Sequence, residues 1–198
     1  HWAPKKSQLL DSGKWVTQPI PCTQKKQSWM FAVNVGRKQP LLVVGSKGKN
    51  AAVGLLQPRA RRNVSNWTYR KLISAGWIMS LIAHDLDNDG DLDLYVVNSG
   101  ANNLFFNGGS GIFIDGSSTA GVADTGSGRG VAIGDVDNDG NLDLYVSVEL
   151  TTRDPAPGEK RPEFAYHDAN DGGVNVLFRN NRQADSIKFD NVTRATGL

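Results

Sequence analysis

The chain has 198 residues, a hydrophobic content of 39% and a formal net charge of +2. That composition is sufficient for a buried core and is unlike that of an intrinsically disordered segment. No apolar run approaches the roughly 18–20 residues of a membrane span, so we expect no transmembrane helix. Cys22 is the single cysteine, which excludes an internal disulfide.

The small net charge conceals a strong asymmetry along the chain. Residues 1–80 contain fourteen Lys/Arg and one Asp, whereas residues 81–198 contain eight Lys/Arg and nineteen Asp/Glu. All five tryptophans lie in the basic part, and basic side chains interleaved with aromatic ones suit an anionic polymer. The spacing of Trp15, Trp29, Trp67 and Trp77, however, favours a packing role for these side chains. From the basic excess we expect as partner either a sulfated or uronic polysaccharide or an acidic neighbouring subunit. We predict no nucleic-acid partner.

The first predicted elements are short strands without acidic turns. A strand near residues 14–20 precedes a unit at about 29–72, in which residues 29–33 resemble residues 77–81 further along the chain. The turn at 34–39 of this unit contains no carboxylate. We predict that this unit binds no metal.

An acidic loop, here called loop 1, follows at residues 85–93 with the sequence DLDNDGDLD. So many carboxylates within nine residues repel one another unless a hard cation lies among them, and oxygen donors without His or Cys favour calcium. Gly90 at position six permits a sharp turn. The predicted ligands are Asp85, Asp87 and Asp89 through their side chains, Asp91 through its backbone carbonyl, and Asp93, which closes the shell.

A second copy, loop 2, has the sequence DVDNDGNLD at residues 135–143 and predicts a second Ca²⁺ site. An EF-hand begins in the same way, but it needs a Glu at position twelve and a helix on each side. Position twelve is Val96 in one copy and Val146 in the other, and the flanks have the composition of strands. The predicted ligands of loop 2 are Asp135, Asp137, Asp139, Asn141 (backbone carbonyl) and Asp143.

An alternative interpretation is that both loops are Asx-rich turns that bind nothing, because Asp, Asn and Gly are common turn residues. A single D-x-D-x-D-G segment fits that interpretation. Two full copies with matching flanks favour the cation site instead.

The loops belong to a longer repeat, because they begin 50 residues apart and the LFFN segment at 104–107 returns as LFRN at 177–180. We assign units to about 77–117 and 129–193, the latter with an exposed insertion at 151–173. Short strands repeating near 50 residues are typical of β-propeller blades. We predict an all-β fold of about three four-stranded blades plus an extra strand, within one partial propeller over 1–198. Three blades do not close a ring, so we expect other chains or further blades as partners.

The repeat resembles a known family. Its D-x-D-x-D-G-x-x-D-L-Y-V core, its N-x-L-F-x-N strand and its F-x-x-V-T-x-x-x-G-L ending at 189–198 are similar to the FG-GAP/VCBS repeats of integrin α-subunit propellers and of ASPIC-type secreted proteins. The resemblance implies that the loop aspartates ligate calcium. Calcium sites of modest affinity work where calcium is abundant, so we expect a secreted, extracellular or periplasmic location.

Catalytic signals are weak, and we predict that the protein is not an enzyme. The histidines are His1, His84 and His167, and none accompanies a recognisable nucleophile motif. We expect an adhesion or ligand-binding scaffold. Two alternatives stay open: a non-catalytic propeller module of a secreted polysaccharide-degrading or redox enzyme, and a structural subunit of a surface filament or complex.

Overall fold

The computed structural model describes residues 28–36, 41–47, 50–57, 66–75, 77–109, 111–124, 126–149, 173–182 and 186–197. Within these ranges the chain forms twelve strands and one short helix. The strands are β1 (Ser28–Asn34), β2 (Leu42–Lys47), β3 (Ala52–Gln57), β4 (Thr68–Ser74), β5 (Ile78–His84), β6 (Asp93–Asn98), β7 (Asn103–Asn107), β8 (Phe113–Asp115), β9 (Ser127–Gly134), β10 (Asp143–Glu149), β11 (Val176–Asn180) and β12 (Phe189–Asn191), and the helix is α1 (Thr193–Thr196).

The strands form three antiparallel four-stranded sheets, each built from consecutive strands: β1–β4, β5–β8 and β9–β12. This architecture confirms the prediction of an all-β fold made of four-stranded, propeller-like blades. We call the sheets blade 1, blade 2 and blade 3. The strand predicted at 14–20 and nearly all of the insertion predicted at 151–173 lie outside the described residues.

The blades are stacked side by side, with their first strands β1, β5 and β9 in contact in that order. Alternating side chains of a strand face opposite sides of its sheet. On β6, Leu94 and Val96 therefore pack towards blade 1, and Tyr95 and Val97 pack towards blade 3. Strand β6 of blade 2 is consequently buried on both faces.

A separate apolar cluster fills each gap between blades. The buried residues between blades 1 and 2 are Val35, Val43, Val53, Leu55, Ile78, Leu81, Leu94, Val96 and Phe105. Those between blades 2 and 3 are Leu86, Tyr95, Val97, Leu104, Ala120, Val122, Leu144, Val146, Val176, Phe178 and Phe189. Across the part of the chain that the structure describes, no helix has the length and apolar character needed to span a membrane.

The repeat extends to individual hydrogen bonds. In blade 2 the Ser117 hydroxyl accepts a bond of 2.9 Å from the Leu104 N–H, and in blade 3 the Thr193 hydroxyl accepts one of 3.0 Å from the Leu177 N–H. Each bond ties the segment after the fourth strand back to the third strand. Blades 2 and 3 are therefore two copies of one structural unit, and their differences can be compared position by position.

Candidate metal centres

Loop 1 connects β5 to β6 and loop 2 connects β9 to β10, so each is the turn of an antiparallel hairpin. Strands on both sides exclude the helix–loop–helix geometry of an EF-hand. The glycine at position six has a positive φ in both copies, 96° at Gly90 and 87° at Gly140. The predicted sharp turn at this position is confirmed.

Position four of each loop also adopts a left-handed conformation, which the sequence analysis missed. The φ angles are 52° at Asn88 and 59° at Asn138. Asn tolerates this region better than most other non-glycine residues. The recurrence of Asn at position four of both copies was the signal that could have revealed it.

In loop 1, three predicted ligands converge. Asp85, Asp87 and Asp89 each place a carboxylate oxygen within 4.8 Å of the others. The Oδ1 atom of Asp85 is buried, and within the described residues it accepts no hydrogen bond. A buried carboxylate oxygen without a donor is rare in folded proteins. Its position beside two further carboxylates fits a cation ligand.

In loop 2, the converging oxygens belong to Asp135, Asp137 and Asp143 and also lie within 4.8 Å of one another. Here the first carboxylate has partners in its own loop. The two oxygens of Asp135 accept bonds from the backbone N–H groups of Asp139, at 3.1 Å, and Gly140, at 3.0 Å. A cation that binds Asp135 would therefore compete with these two backbone N–H groups. Within the described residues, the Oδ1 atom of Asp85 accepts no such bond.

Position five closes the turn in the same way in both copies. Asp89 Oδ1 accepts a bond of 2.7 Å from the Asp91 N–H, and Asp139 Oδ1 accepts one of 2.7 Å from the Asn141 N–H. Ligation through the backbone carbonyls of Asp91 and Asn141, and through the side chain of Asp139, stays a prediction.

Asp93 has a structural role that the sequence did not reveal. Its side chain is fully buried, and its Oδ2 atom accepts bonds from the N–H groups of Leu86, at 2.8 Å, and Asp87, at 3.3 Å. Its Oδ1 atom accepts a bond of 2.9 Å from the Asn107 N–H. Asp93 thus ties the start of loop 1 to the end of β7, whatever contact it makes with a cation.

Asp143 repeats this arrangement with two donors. Its oxygens accept bonds of 2.8 Å from the N–H groups of Val136 and Asn180. The last carboxylate of each loop therefore fastens that loop to the third strand of its own blade.

Two of the clustered carboxylates of loop 1, those of Asp87 and Asp93, have raised pKa values. Burial raises the pKa of Asp93 to about 7, against the backbone hydrogen bonds that favour its charged form. Burial also raises the pKa of Asp87, and the charges of Asp89 and Asp85 add to that rise. A divalent cation among these oxygens would lower both pKa values, since it stabilises the ionised carboxylates.

One further polar residue lies between the loops. The Asn180 side chain is fully buried, and its Nδ2 atom donates bonds of 3.2 Å to the carbonyls of Leu86 in loop 1 and Leu142 in loop 2. The sequence marked Asn180 only as the last residue of the repeated N-x-L-F-x-N strand. Its contact with loop 1 joins two blades and could not be read from the repeat.

Comparison with protein families agrees with this geometry. The family model of the FG-GAP-like repeat matches residues 85–146, which contain both loops and the strands between them. Residues 85–146 are therefore FG-GAP-like in sequence. This confirms the resemblance drawn from the sequence motifs, and the FG-GAP-like blades form a β-propeller-like module. A search of curated proteins gave no match to the chain.

Proposed function

We propose that this protein is a calcium-binding β-propeller segment that serves as an adhesion or ligand-binding scaffold in an extracellular or periplasmic setting. The observation that carries the proposal is the convergence of three carboxylates in loop 1 around a buried Asp85 oxygen that accepts no hydrogen bond within the described residues. Oxygen-only donors suit calcium better than zinc or copper. The same residue types recur in loop 2.

The proposed role of calcium is structural. Asp85, Asp87 and Asp89 would hold it in loop 1, and Asp135, Asp137 and Asp143 in loop 2. Bound calcium supplies positive charge that offsets the repulsion between these carboxylates, which stabilises each hairpin turn. We propose a binding role and not a catalytic one.

Calcium titration of thermal unfolding, with the bound metal counted per chain, tests the proposal. We expect about two Ca²⁺ per chain and a melting temperature that rises with calcium. At a calcium concentration of 100 Kd, each site adds about 2.7 kcal/mol to the free energy of unfolding. No bound metal and no shift in the melting temperature would contradict it.

Matched variants separate ligation from simple loss of charge. Asp87→Ala and Asp137→Ala should each remove one bound Ca²⁺ and lower the melting temperature only when calcium is present. Asp190→Ala removes the same charge from β12, outside both loops, and should leave the calcium stoichiometry unchanged. Equal destabilisation of all three variants in EDTA and in calcium would count against ligation by the loops.

The basic part of the chain supports an anionic polysaccharide as the ligand of the scaffold. Residues 1–80 contain fourteen Lys/Arg and one Asp, and Lys47, Arg70 and Lys71 are among those in the described strands of blade 1. Retention on immobilised heparin or polyuronate, lost as the salt concentration rises and absent on neutral dextran, is the expected result. Equal behaviour on charged and neutral matrices would contradict this ligand.

The face of blade 3 that points away from blade 2, here called the far face, favours a second candidate function. This function is that of a structural subunit within a larger assembly. Leu86 of blade 2 is 1% exposed beneath blade 3, whereas its counterpart Val136 in blade 3 is 56% exposed. A further blade packed on this face would bury Val136 as blade 3 buries Leu86. Sedimentation over a range of concentrations should show association that Val136→Lys weakens. A strict monomer at all concentrations would count against this function.

A further inference from the structure

Asn180 is the residue through which the two acidic loops meet. Its Nδ2 atom has two hydrogens, and both are used at 3.2 Å, one by the Leu86 carbonyl of loop 1 and one by the Leu142 carbonyl of loop 2. Its backbone N–H donates to Asp143 at 2.8 Å. The side chain is 0% exposed, so water does not replace either bond. One amide group therefore links the backbones of both loops.

Both acceptor carbonyls lie next to carboxylates proposed to hold calcium. The Leu86 carbonyl belongs to the peptide unit that leads into Asp87, and the Leu142 carbonyl belongs to the unit that leads into Asp143. Peptide units are planar, so a bond that fixes a carbonyl also fixes the N–H of the next residue. The Asn180 side chain thus contacts the backbone of loop 1 immediately before Asp87 and the backbone of loop 2 immediately before Asp143.

The corresponding residue of blade 2 provides a natural comparison. Asn107 ends β7 as Asn180 ends β11, and its Nδ2 atom donates a bond of 3.0 Å to the Leu92 carbonyl of loop 1. This bond of Asn107 stays within blade 2, whereas Asn180 also contacts loop 1 from blade 3, across 94 residues of sequence. The two asparagines share a place in the repeat and differ in the number of acidic loops that they contact.

We propose that Asn180 is a positioning residue that couples the two loops, so that calcium bound at one loop raises the calcium affinity of the other. The inference rests on the proposed calcium function. When calcium orders one loop, the carbonyl of that loop that accepts a hydrogen bond from Asn180 becomes fixed. The Asn180 side-chain amide is then fixed as well, and it orders the carbonyl of the other loop before that loop binds calcium. Because binding linkage is reciprocal, loop 1 must strengthen loop 2 by the same factor as loop 2 strengthens loop 1. Direct repulsion between two cations would act in the opposite direction.

Calorimetric titration with Ca²⁺ tests the coupling in the native chain and in four variants: Asp137→Ala (loop 1 alone), Asp87→Ala (loop 2 alone), Asn180→Leu and Asn107→Leu. We expect the affinity of each loop to be about fivefold higher when the other loop is intact and filled, the lower end of typical coupling factors. Asn180→Leu keeps the approximate side-chain volume but removes the donors, and it should reduce that factor to about one. Asn107→Leu is the matched control, expected to weaken loop 1 while the coupling factor persists.

The outcomes are distinguishable. Two bound Ca²⁺ with independent or mutually weakening sites in the native chain would overturn the coupling and leave the proposed function intact. Absence of bound Ca²⁺ in every protein would overturn both. A coupling factor that survives in Asn180→Leu would assign the coupling to other contacts and overturn the role of Asn180.

A second measurement keeps the proposal testable if Asn180→Leu does not fold. In Asp89→Ala, where loop 2 is left to bind calcium, filling loop 2 should slow hydrogen exchange of the Leu86 and Asp87 amides by at least severalfold. An unchanged exchange rate at both amides would overturn the coupling. A purely structural part for Asn180 would change overall stability without this transfer of protection.

Discussion

Loop 1 and loop 2 differ at two of nine positions, Leu86 against Val136 and Asp91 against Asn141, yet their surroundings differ far more. Blade 3 covers loop 1 at Leu86, which is 1% exposed, whereas Val136 is 56% exposed. The Asp85 Oδ1 atom is buried and accepts no bond within the described residues, whereas Asp135 accepts bonds from two N–H groups of its own loop. Two loops of nearly identical sequence can therefore differ in burial and in the hydrogen bonds that a cation must replace, because only one of them is covered by a neighbouring blade.

The largest expected effect concerns the last carboxylate of each loop. Asp93→Ala would leave three backbone N–H groups without their acceptor, and Asp143→Ala would leave two. Each unsatisfied buried donor costs about 1–3 kcal/mol. We expect Asp93→Ala to lower the free energy of unfolding in EDTA by about 4 kcal/mol, and Asp143→Ala by less. Urea unfolding measures both, and equal losses would show that the two carboxylates hold their loops equally.

The next comparison concerns position two. Leu86→Ala creates a cavity between blades 2 and 3 and should cost about 3 kcal/mol, within the range for buried leucines. Val136→Ala changes an exposed side chain and should stay within about 0.5 kcal/mol. Chemical unfolding in EDTA gives both values. A comparable loss at the two positions would mean that the far face of blade 3 is covered in solution.

A third comparison concerns the calcium affinity of the isolated sites. Loop 2 must exchange the hydrogen bonds to Asp135 for a cation, and a net hydrogen bond contributes about 0.5–1.5 kcal/mol. We expect loop 1, measured in Asp137→Ala, to bind calcium about tenfold more tightly than loop 2, measured in Asp87→Ala. Calorimetry distinguishes them, and a tighter loop 2 would reverse the order that we derive from Asp85 and Asp135.

The smallest expected effect concerns the glycine at position six. A Cβ atom added at Gly140 would meet no atom within 4 Å, so Gly140→Ala isolates the cost of a positive φ. That cost is about 1 kcal/mol for a residue with a side chain. The loss should appear in EDTA as well as in calcium, unlike that of Asp137→Ala. A larger loss confined to calcium would indicate that the turn tightens around the cation.

Much of the site could be predicted from the sequence because it depends on local spacing. Alternating carboxylates and a glycine at position six specify a tight acidic turn, and strand-forming flanks place it in a hairpin. The left-handed Asn88 and Asn138 belong to the same local pattern, because Asn at position four of both copies is itself a signal for this conformation.

The sequence alone determined the repeat, the all-β class and the hairpin position of both acidic loops. Which three carboxylates converge differs between the two loops, with Asp89 in loop 1 and Asp143 in loop 2 as the third member, and the shared motif did not predict that difference. Only the tertiary structure decided that Asn180 contacts loop 1 across 94 residues, that Asp93 is buried with three donors, and that Leu86 is covered where Val136 is exposed. Backbone turns follow from the conformational limits of nearby residues. Burial and contacts between blades depend on which sheet packs against which, and a repeated motif is the same in every blade whatever its neighbour.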